Sequence, residues 1–349
     1  MNDLHFGVCI GIDRYPGFPG RDLGSARGDA VAFSEWLLAG DGGALPPGNV
    51  AVVTASAEEM WAQSWDARPQ LREVNRALDT FNKRLREWLD ATSDDPNASR
   101  LYVYAAGHGI GPMDGECGVL MADADPDNLG DHIELSSYRQ WYEQHGRFRE
   151  VVIFADCCRE LPAVGIPANG PPFTPIGQPI GLRSFTGYAS RLGDAAWEPI
   201  ATTDRDAARG YFTRALLAGL NGGAIDPDRG VVTSTTLAQY VAQAVEAATR
   251  GVVPYPQKAE HKLDVEAPIL FASASKPVSR RVTIGFPAGF AGAVVLRSTA
   301  PAALGAWEAG DGPWALELPD GYYEVEPVGP DGPTDWLFKV VGADVDVQL

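Results

Sequence analysis

Residues 151–160 read VVIFADCCRE and residues 101–109 read LYVYAAGHG. Each begins as an apolar run rich in Val, Ile, Tyr and Phe with no internal charge, the pattern of a strand buried on both faces of a parallel sheet. Each then ends in a reactive side chain: Cys157 and Cys158 in the first, His108 in the second. In open α/β sheets, sites form in the crevice beyond the carboxyl ends of the strands, so a thiol and an imidazole delivered there by adjacent strands should converge. Side chains alternate along a strand, so Cys158 shares a face with Asp156, whereas Cys157 points to the opposite face and packs as a small apolar group.

Fifty positions separate His108 from Cys158, and Asp156-Cys157-Cys158-Arg159-Glu160 stands where caspases carry Gln-Ala-Cys-Arg-Gly. The pattern resembles the caspase-like cysteine peptidases, through its Asp-x-Cys most of all the metacaspase branch and its bacterial relatives. The sequence departs from both at Glu160, where metacaspases have Ser and caspases Gly. The resemblance implies a Cys158–His108 dyad and an oxyanion hole made by the amides of Gly109 and Cys158. It also implies a regulated protease of bacterial signalling, defence or cell death. The chemistry suits these residue types, because a thiol is the nucleophile only as thiolate, and an imidazole both generates the thiolate and returns a proton to the leaving amine. Glycines 107 and 109 let main chain approach a substrate without an intervening Cβ. No third catalytic residue is assignable.

Asp156, two residues before the nucleophile, is expected in the S1 region, where a carboxylate favours Arg or Lys at P1 by charge pairing. The resemblance implies a second pocket acid after the first strand. Asp13, Asp22 and Asp29 are the candidates, with Asp22 preferred and Asp29 an alternative holder of the helix start. A catalytically weak caspase-fold scaffold that recruits partners is the competing function.

The rest of the chain fits a mostly parallel α/β sheet flanked by helices. A first buried strand covers 6–12, and a helix carries Ala26, Ala30, Phe33 and Leu37 at helical spacing. A strand follows at 50–54, then a long amphipathic helix at 70–91. Beyond the nucleophile, strands are expected at 185–190 and 268–272, and helices from about Phe212 to Gly222 and over 233–249. Between Glu160 and Arg183 runs LPAVGIPANGPPFTPIGQPIGL, with six prolines, four glycines and no charge, which sustains neither helix nor central strand. Caspases are cut in the equivalent linker. Within this linker, taken as 161–183, the stretch from Leu161 to Leu182 offers an Arg/Lys-directed enzyme no site, so Arg183 and Arg191 are the candidate processing positions, Arg183 favoured because mobile chain should precede it.

The peptidase unit is placed at 1–272. After a break near 273–277, residues 278–349 alternate as short strands (Val282, Ile284, Phe286; Trp314, Leu316, Leu318; Tyr323, Val325), with Asp320-Gly321 a hairpin signal. They resemble the small antiparallel β-sandwich of PEGA or prealbumin-like modules. Trp307, Trp314 and Trp336 are read as core aromatics in preference to ligand contacts.

The 349 residues carry 46 acids against 28 bases, a formal charge of −18, which opposes nucleic-acid binding. No apolar run approaches the roughly 20 residues that span a bilayer, and the start lacks signal-peptide features, so a cytoplasmic protein without a membrane partner is expected. Four cysteines suit a reducing compartment. His5, His108, His132, His145 and His261 show no metal-ligand spacing with them, so no metal or cofactor is expected, and calcium activation is not assignable. The expected partners are protein or peptide substrates with a basic P1, and an activating protease or regulatory partner.

Overall fold

In the computed structural model, all residues are described except 1, 56–59, 93–98, 113–115, 130–131, 162–168, 176–180, 200–208, 227–229, 264–266, 272–278, 288–289, 291, 299–302, 309, 311–312, 320, 328–335 and 341–343. The main sheet takes β1 (His5–Gly11), β2 (Val50–Thr54), β3 (Arg100–Ala106), β7 (Glu150–Asp156), β8 (Arg183–Tyr188) and β11 (Glu260–Leu263) in the order β11-β8-β7-β3-β1-β2. Every pair is parallel except β11 with β8. The helices are α1 (Ala26–Leu38), α2 (Leu71–Ala91), α3 (Leu135–His145), α4 (Tyr211–Ala218) and α5 (Ser234–Thr249). A three-stranded antiparallel sheet, β4 (Gly109–Ile110), β5 (Gly118–Leu120) and β6 (His132–Glu134), lies between β3 and α3 in the chain.

Strand alternation builds the layers. Val8, Ile10, Leu101, Val103, Val151 and Ile153 join the cluster of α2 and α3. Their neighbours Cys9, Tyr102, Tyr104, Val152 and Phe154 join the cluster of α1, α4 and α5. Both faces are therefore buried, which is why these strands read as uninterrupted apolar runs. At the amino ends of β3 and β7, Arg100 and Glu150 form a buried pair at 2.5 Å, shared with Arg183.

Two strand expectations need correction. The edge strand is 260–263 and not 268–272. Leu270 makes only an isolated bridge to Thr233, and Pro268 has no N–H for a ladder. The sequence Glu-His-Lys-Leu hides the true edge, since an antiparallel edge strand is half solvated and needs no apolar run. β8 begins two residues earlier than expected, at Arg183.

The C-terminal region has β12 (Ser279–Gly285), β13 (Ala293–Ser298), β14 (Ala303–Glu308), β15 (Trp314–Pro319), β16 (Gly321–Pro327), β17 (Trp336–Val340) and β18 (Val345–Gln348). Its sheets, β15-β12-β18 and β14-β13-β16-β17, share a core of Val282, Ile284, Trp314, Leu296, Tyr323 and Val325. The hairpin expected at Asp320-Gly321 is not formed: β15 pairs with β12 and β16 with β13, so the chain crosses from sheet to sheet there. Asp320 itself lies outside the described residues. Both strands keep one apolar face, which packing across a common core satisfies as well as a hairpin would. β12 and β18 are parallel, so the region is not wholly antiparallel. Trp314 is buried and Trp336 packs against the same core, while the Trp307 side chain is outside the described residues. The short β9 (Ile225–Asp226) and β10 (Val231–Val232) form a ribbon beside α5.

Candidate active site

β3 and β7 run parallel in a register that pairs Ala106 with Asp156. His108 and Cys158 each follow that pair by two residues. Glycine at 109 is what allows the two chains to meet: a Cβ there would lie 2.1 Å from the Cys158 carbonyl oxygen and 2.6 Å from Cys157 Sγ. Main chain at 109 is thus pressed against main chain at 158, where two amides of an oxyanion hole would be wanted.

Tyr15, which sequence reasoning missed, supports the histidine. The His108 amide donates to its hydroxyl at 2.9 Å, that hydroxyl donates to the Leu120 carbonyl at 3.3 Å, and the two rings are 4.7 Å apart. His108 Nε2 lies 2.6 Å from the Arg21 carbonyl, which can only accept, so Nε2 carries the proton. In the neutral ring, Nδ1 is then the acceptor.

The thiols divide as alternation dictates. Cys157 is buried in the α2/α3 cluster with its sulfur 3.4 Å from that of Cys117. Cys158 is half-buried, and its sulfur meets one residue twice: the Ala196 amide donates to it at 3.3 Å, and the thiol faces the Ala196 carbonyl at 3.6 Å. Among the described residues no hydrogen bond joins it to His108. Burial raises the Cys158 thiol above its ordinary pKa, Glu160 and Asp156 add to the rise, and the Ala196 amide opposes it. The resting group is a covered, protonated thiol.

Arg159 locks the chain just past Cys158. Its buried guanidinium donates to the Glu116 carbonyl at 2.7 Å, the Ser190 carbonyl at 3.1 Å and Glu260 Oε2 at 2.6 Å, and it stacks 4.1 Å over the Tyr188 ring. Its backbone amide donates to the Asp194 carbonyl at 3.0 Å, and its carbonyl accepts from Gly193 at 2.8 Å. The 191–199 segment is thereby held alongside Cys158.

Asp156 points to the α1/α4 side. Its Oδ2 accepts from the amide and hydroxyl of Thr213 in the first turn of α4 at 3.1 and 2.6 Å, where the helix terminus favours negative charge. Asp29, buried in the first turn of α1, accepts the Gly210 amide at 3.1 Å. A Cβ at Gly210 would lie 2.6 Å from Asp156 Oδ2 and 3.1 Å from Asp29 Oδ2, so the absent side chain lets two carboxylates share this corner. Burial raises both carboxyls, Asp29 to about 8 with the like charge of Asp156 contributing, and Asp156 to about 6 with Glu198 contributing.

Asp22, the preferred pocket acid in the sequence, is exposed and accepts from the Tyr15 amide at 3.4 Å. It caps a turn, and Asp29 takes the place beside Asp156. The helix start falls to other acids. Asp13 accepts the Arg27 amide at 3.0 Å, and Glu198 accepts the Gly24 and Ser25 amides at 3.1 Å each and the Ser25 hydroxyl at 2.8 Å. The sequence did carry a sign of Asp29, an acid next to Ala30 on a helix face otherwise made of Ala and Phe. It carried none of Glu198, which reaches α1 from more than 170 positions away.

Of the processing candidates, Arg183 is the first residue of β8, with its amide donating to the Arg149 carbonyl at 3.0 Å and its guanidinium paired with Glu150. Just before it, the Gly181 carbonyl accepts from the Arg149 guanidinium at 2.7 Å and Leu182 packs against the α2/α3 cluster, while 176–180 lie outside the described residues. Arg191 is exposed in the turn after β8.

No three His, Cys, Asp or Glu side chains converge as a metal-ligand set among the described residues. Nor, among them, is any helix long and apolar enough to cross a membrane.

The fold and site define an α/β protein whose parallel sheet carries a thiol and an imidazole at its carboxyl edge. No protein-family profile matches the chain. A protein of a Desulfuromonadales bacterium described as a probable protease is 28% identical over 231 residues, covering 62% of this chain. The match spans 26% of that relative's own length. Among solved structures, caspase-1 of Spodoptera frugiperda aligns over 75% of this chain and 87% of its own, at 14% identity and a TM-score of 0.44. A pro-sf-caspase-1 structure aligns over 78% and 93%, at 14% identity and 0.39.

Proposed function

We propose that this chain is a cysteine endopeptidase that cleaves after Arg or Lys, with Cys158 as nucleophile and His108 as its base. What supports the reading is the β3/β7 register, which puts His108 and Cys158 each two residues past paired positions, with Gly109 packed closely against the Cys158 backbone. In the reaction His108 Nδ1 takes the thiol proton, the thiolate attacks the scissile carbonyl, and the amides of Gly109 and Cys158 receive the oxyanion. The imidazolium protonates the leaving amine, and water then hydrolyses the thioester. Asp156 and Asp29 are the P1 acids, replacing the Asp156–Asp22 pair of the sequence reading. The description of the Desulfuromonadales relative agrees with a protease.

The geometry described is the resting form, since Ala196 covers the thiol and His108 donates to Arg21. Turnover then requires the 191–199 segment to shift. That same cover favours the second reading, a caspase-fold scaffold that does little chemistry. Purified protein, given a thiol-directed peptide probe and chromogenic Arg, Lys and Asp peptides, separates the two. The endopeptidase labels at Cys158 and turns over the basic peptides, and Cys158→Ala abolishes both. No labelling, or turnover surviving in Cys158→Ala, rejects the proposal.

A further inference from the structure

On the α2 side of the sheet, away from the dyad, lies a cleft of about 560 Å³, within the roughly 300–1,000 Å³ range of small-molecule sites. One wall is α2, whose Arg72, Arg76, Lys83 and Arg86 recur every third or fourth residue or a multiple of it and so share one face. The other wall is Phe173 with its neighbours in the 161–183 linker. Phe173 is itself seated edge-on against Trp141 at 5.3 Å and Tyr138 at 6.3 Å.

The charge of this cleft runs against the rest of the molecule. Four cations face one acid, Asp79, which pairs with Lys83 at 2.5 Å. Arg76 and Arg86 form no ion pair among the described residues, on a chain of net charge −18. The cleft also contains Asn82, which is 4% exposed, and neither end of its amide meets hydrogen-bond geometry with the protein. Its polar neighbour is the Tyr142 hydroxyl, and one hydroxyl cannot serve both a donor and an acceptor end in full. A buried amide left in this state costs stability unless a ligand or water completes it.

We propose that this cleft is a binding site for a phosphate-bearing small molecule of nucleotide class. The phosphates sit on the Arg76 and Arg86 guanidiniums, whose planar forks match phosphate oxygens, and an aromatic ring lies against Phe173. Such a ligand bridges α2 to Pro172, Phe173 and Thr174 of the linker. The site is independent of peptide cleavage, and its test needs no peptidase activity.

Titration calorimetry at low salt, with ATP, tripolyphosphate and adenosine as probes, tests it. ATP and tripolyphosphate should bind, adenosine should not, and added salt should weaken both. The double variant Arg76→Ala/Arg86→Ala changes only exposed groups and should weaken both by about tenfold or more. Phe173→Leu, which keeps the apolar packing, should weaken ATP but not tripolyphosphate. Absence of heat for ATP and tripolyphosphate at about 1 mM overturns the proposal. So does binding that the double variant leaves unchanged, which places the ligand elsewhere, or an ATP affinity indifferent to Phe173→Leu.

Discussion

Asp29 and Asp156 meet across Gly210, and burial holds both carboxyls above their ordinary range. A carboxyl raised in the fold favours its protonated form, so its contribution to stability is present at low pH and is lost as pH climbs through the raised value. The loss begins above the unfolded carboxyl value of about 4 and is complete at about 6 for Asp156 and about 8 for Asp29. Asp29→Asn keeps an acceptor for the Gly210 amide and removes the charge. It should therefore melt higher than the parent at about pH 8 and progressively less so down to about pH 4, where the advantage vanishes, each kcal/mol relieved raising Tm by roughly 2–4 °C. If the acids read a basic P1, they must be ionised to do so. Cleavage of an Arg peptide should rise as pH climbs through the folded values of about 6 and about 8, and Asp29→Asn should lower kcat/KM by about tenfold or more. Melts at two pH values and a pH–rate profile check both halves, and equal stabilisation at both pH values would contradict the first.

At the scale of the element, the 191–199 segment is held by four ties: Asp194 and Gly193 to Arg159, Ala196 to the Cys158 sulfur, the Trp197 amide to Gln257, and Glu198 to the start of α1. The Glu198 tie is charge-assisted and lies at a helix N-terminus, which makes it the strongest single target. Glu198→Gln keeps the shape and weakens the tie. The variant should label faster at Cys158 with a small thiol reagent, by about threefold to tenfold if 0.7–1.4 kcal/mol of cover is lost. Unchanged or slower labelling would mean the segment does not guard the thiol. Self-cleavage should also report on this element. Because Arg183 is bound into β8 and Arg191 lies exposed in a turn, a concentrated sample should yield a new amino terminus at Leu192 and none at Ser184, as terminal sequencing will read.

Across the whole molecule, the main sheet and the C-terminal strands each close their own core. Two clusters fill the faces of the main sheet, and a third is made wholly of residues from Val282 onward. A chain ending at Ala274 should accordingly stay soluble and label at Cys158 as the full chain does. Gel filtration and labelling check this, and an aggregated or unreactive product would show that the C-terminal strands complete the first unit.

The sequence alone determined what local pattern can carry. Uninterrupted apolar runs marked β1, β3 and β7, helical spacing marked α1 and α2, and strand alternation placed Cys157 on the face away from Asp156. It could not reveal the polar edge strand β11, whose pairing and not whose composition makes it a strand. It also could not show that β15 and β16 part into different sheets, because one apolar face serves a hairpin and a cross-sheet turn equally. The tertiary structure alone decided which acid joins Asp156, what covers the thiol and what holds His108. Those contacts join residues far apart in the chain, Asp29 to Gly210, Ala196 to Cys158 and Arg21 to His108. A hydrogen bond of that kind depends on where two elements come to rest against each other, and no periodicity in the sequence records it.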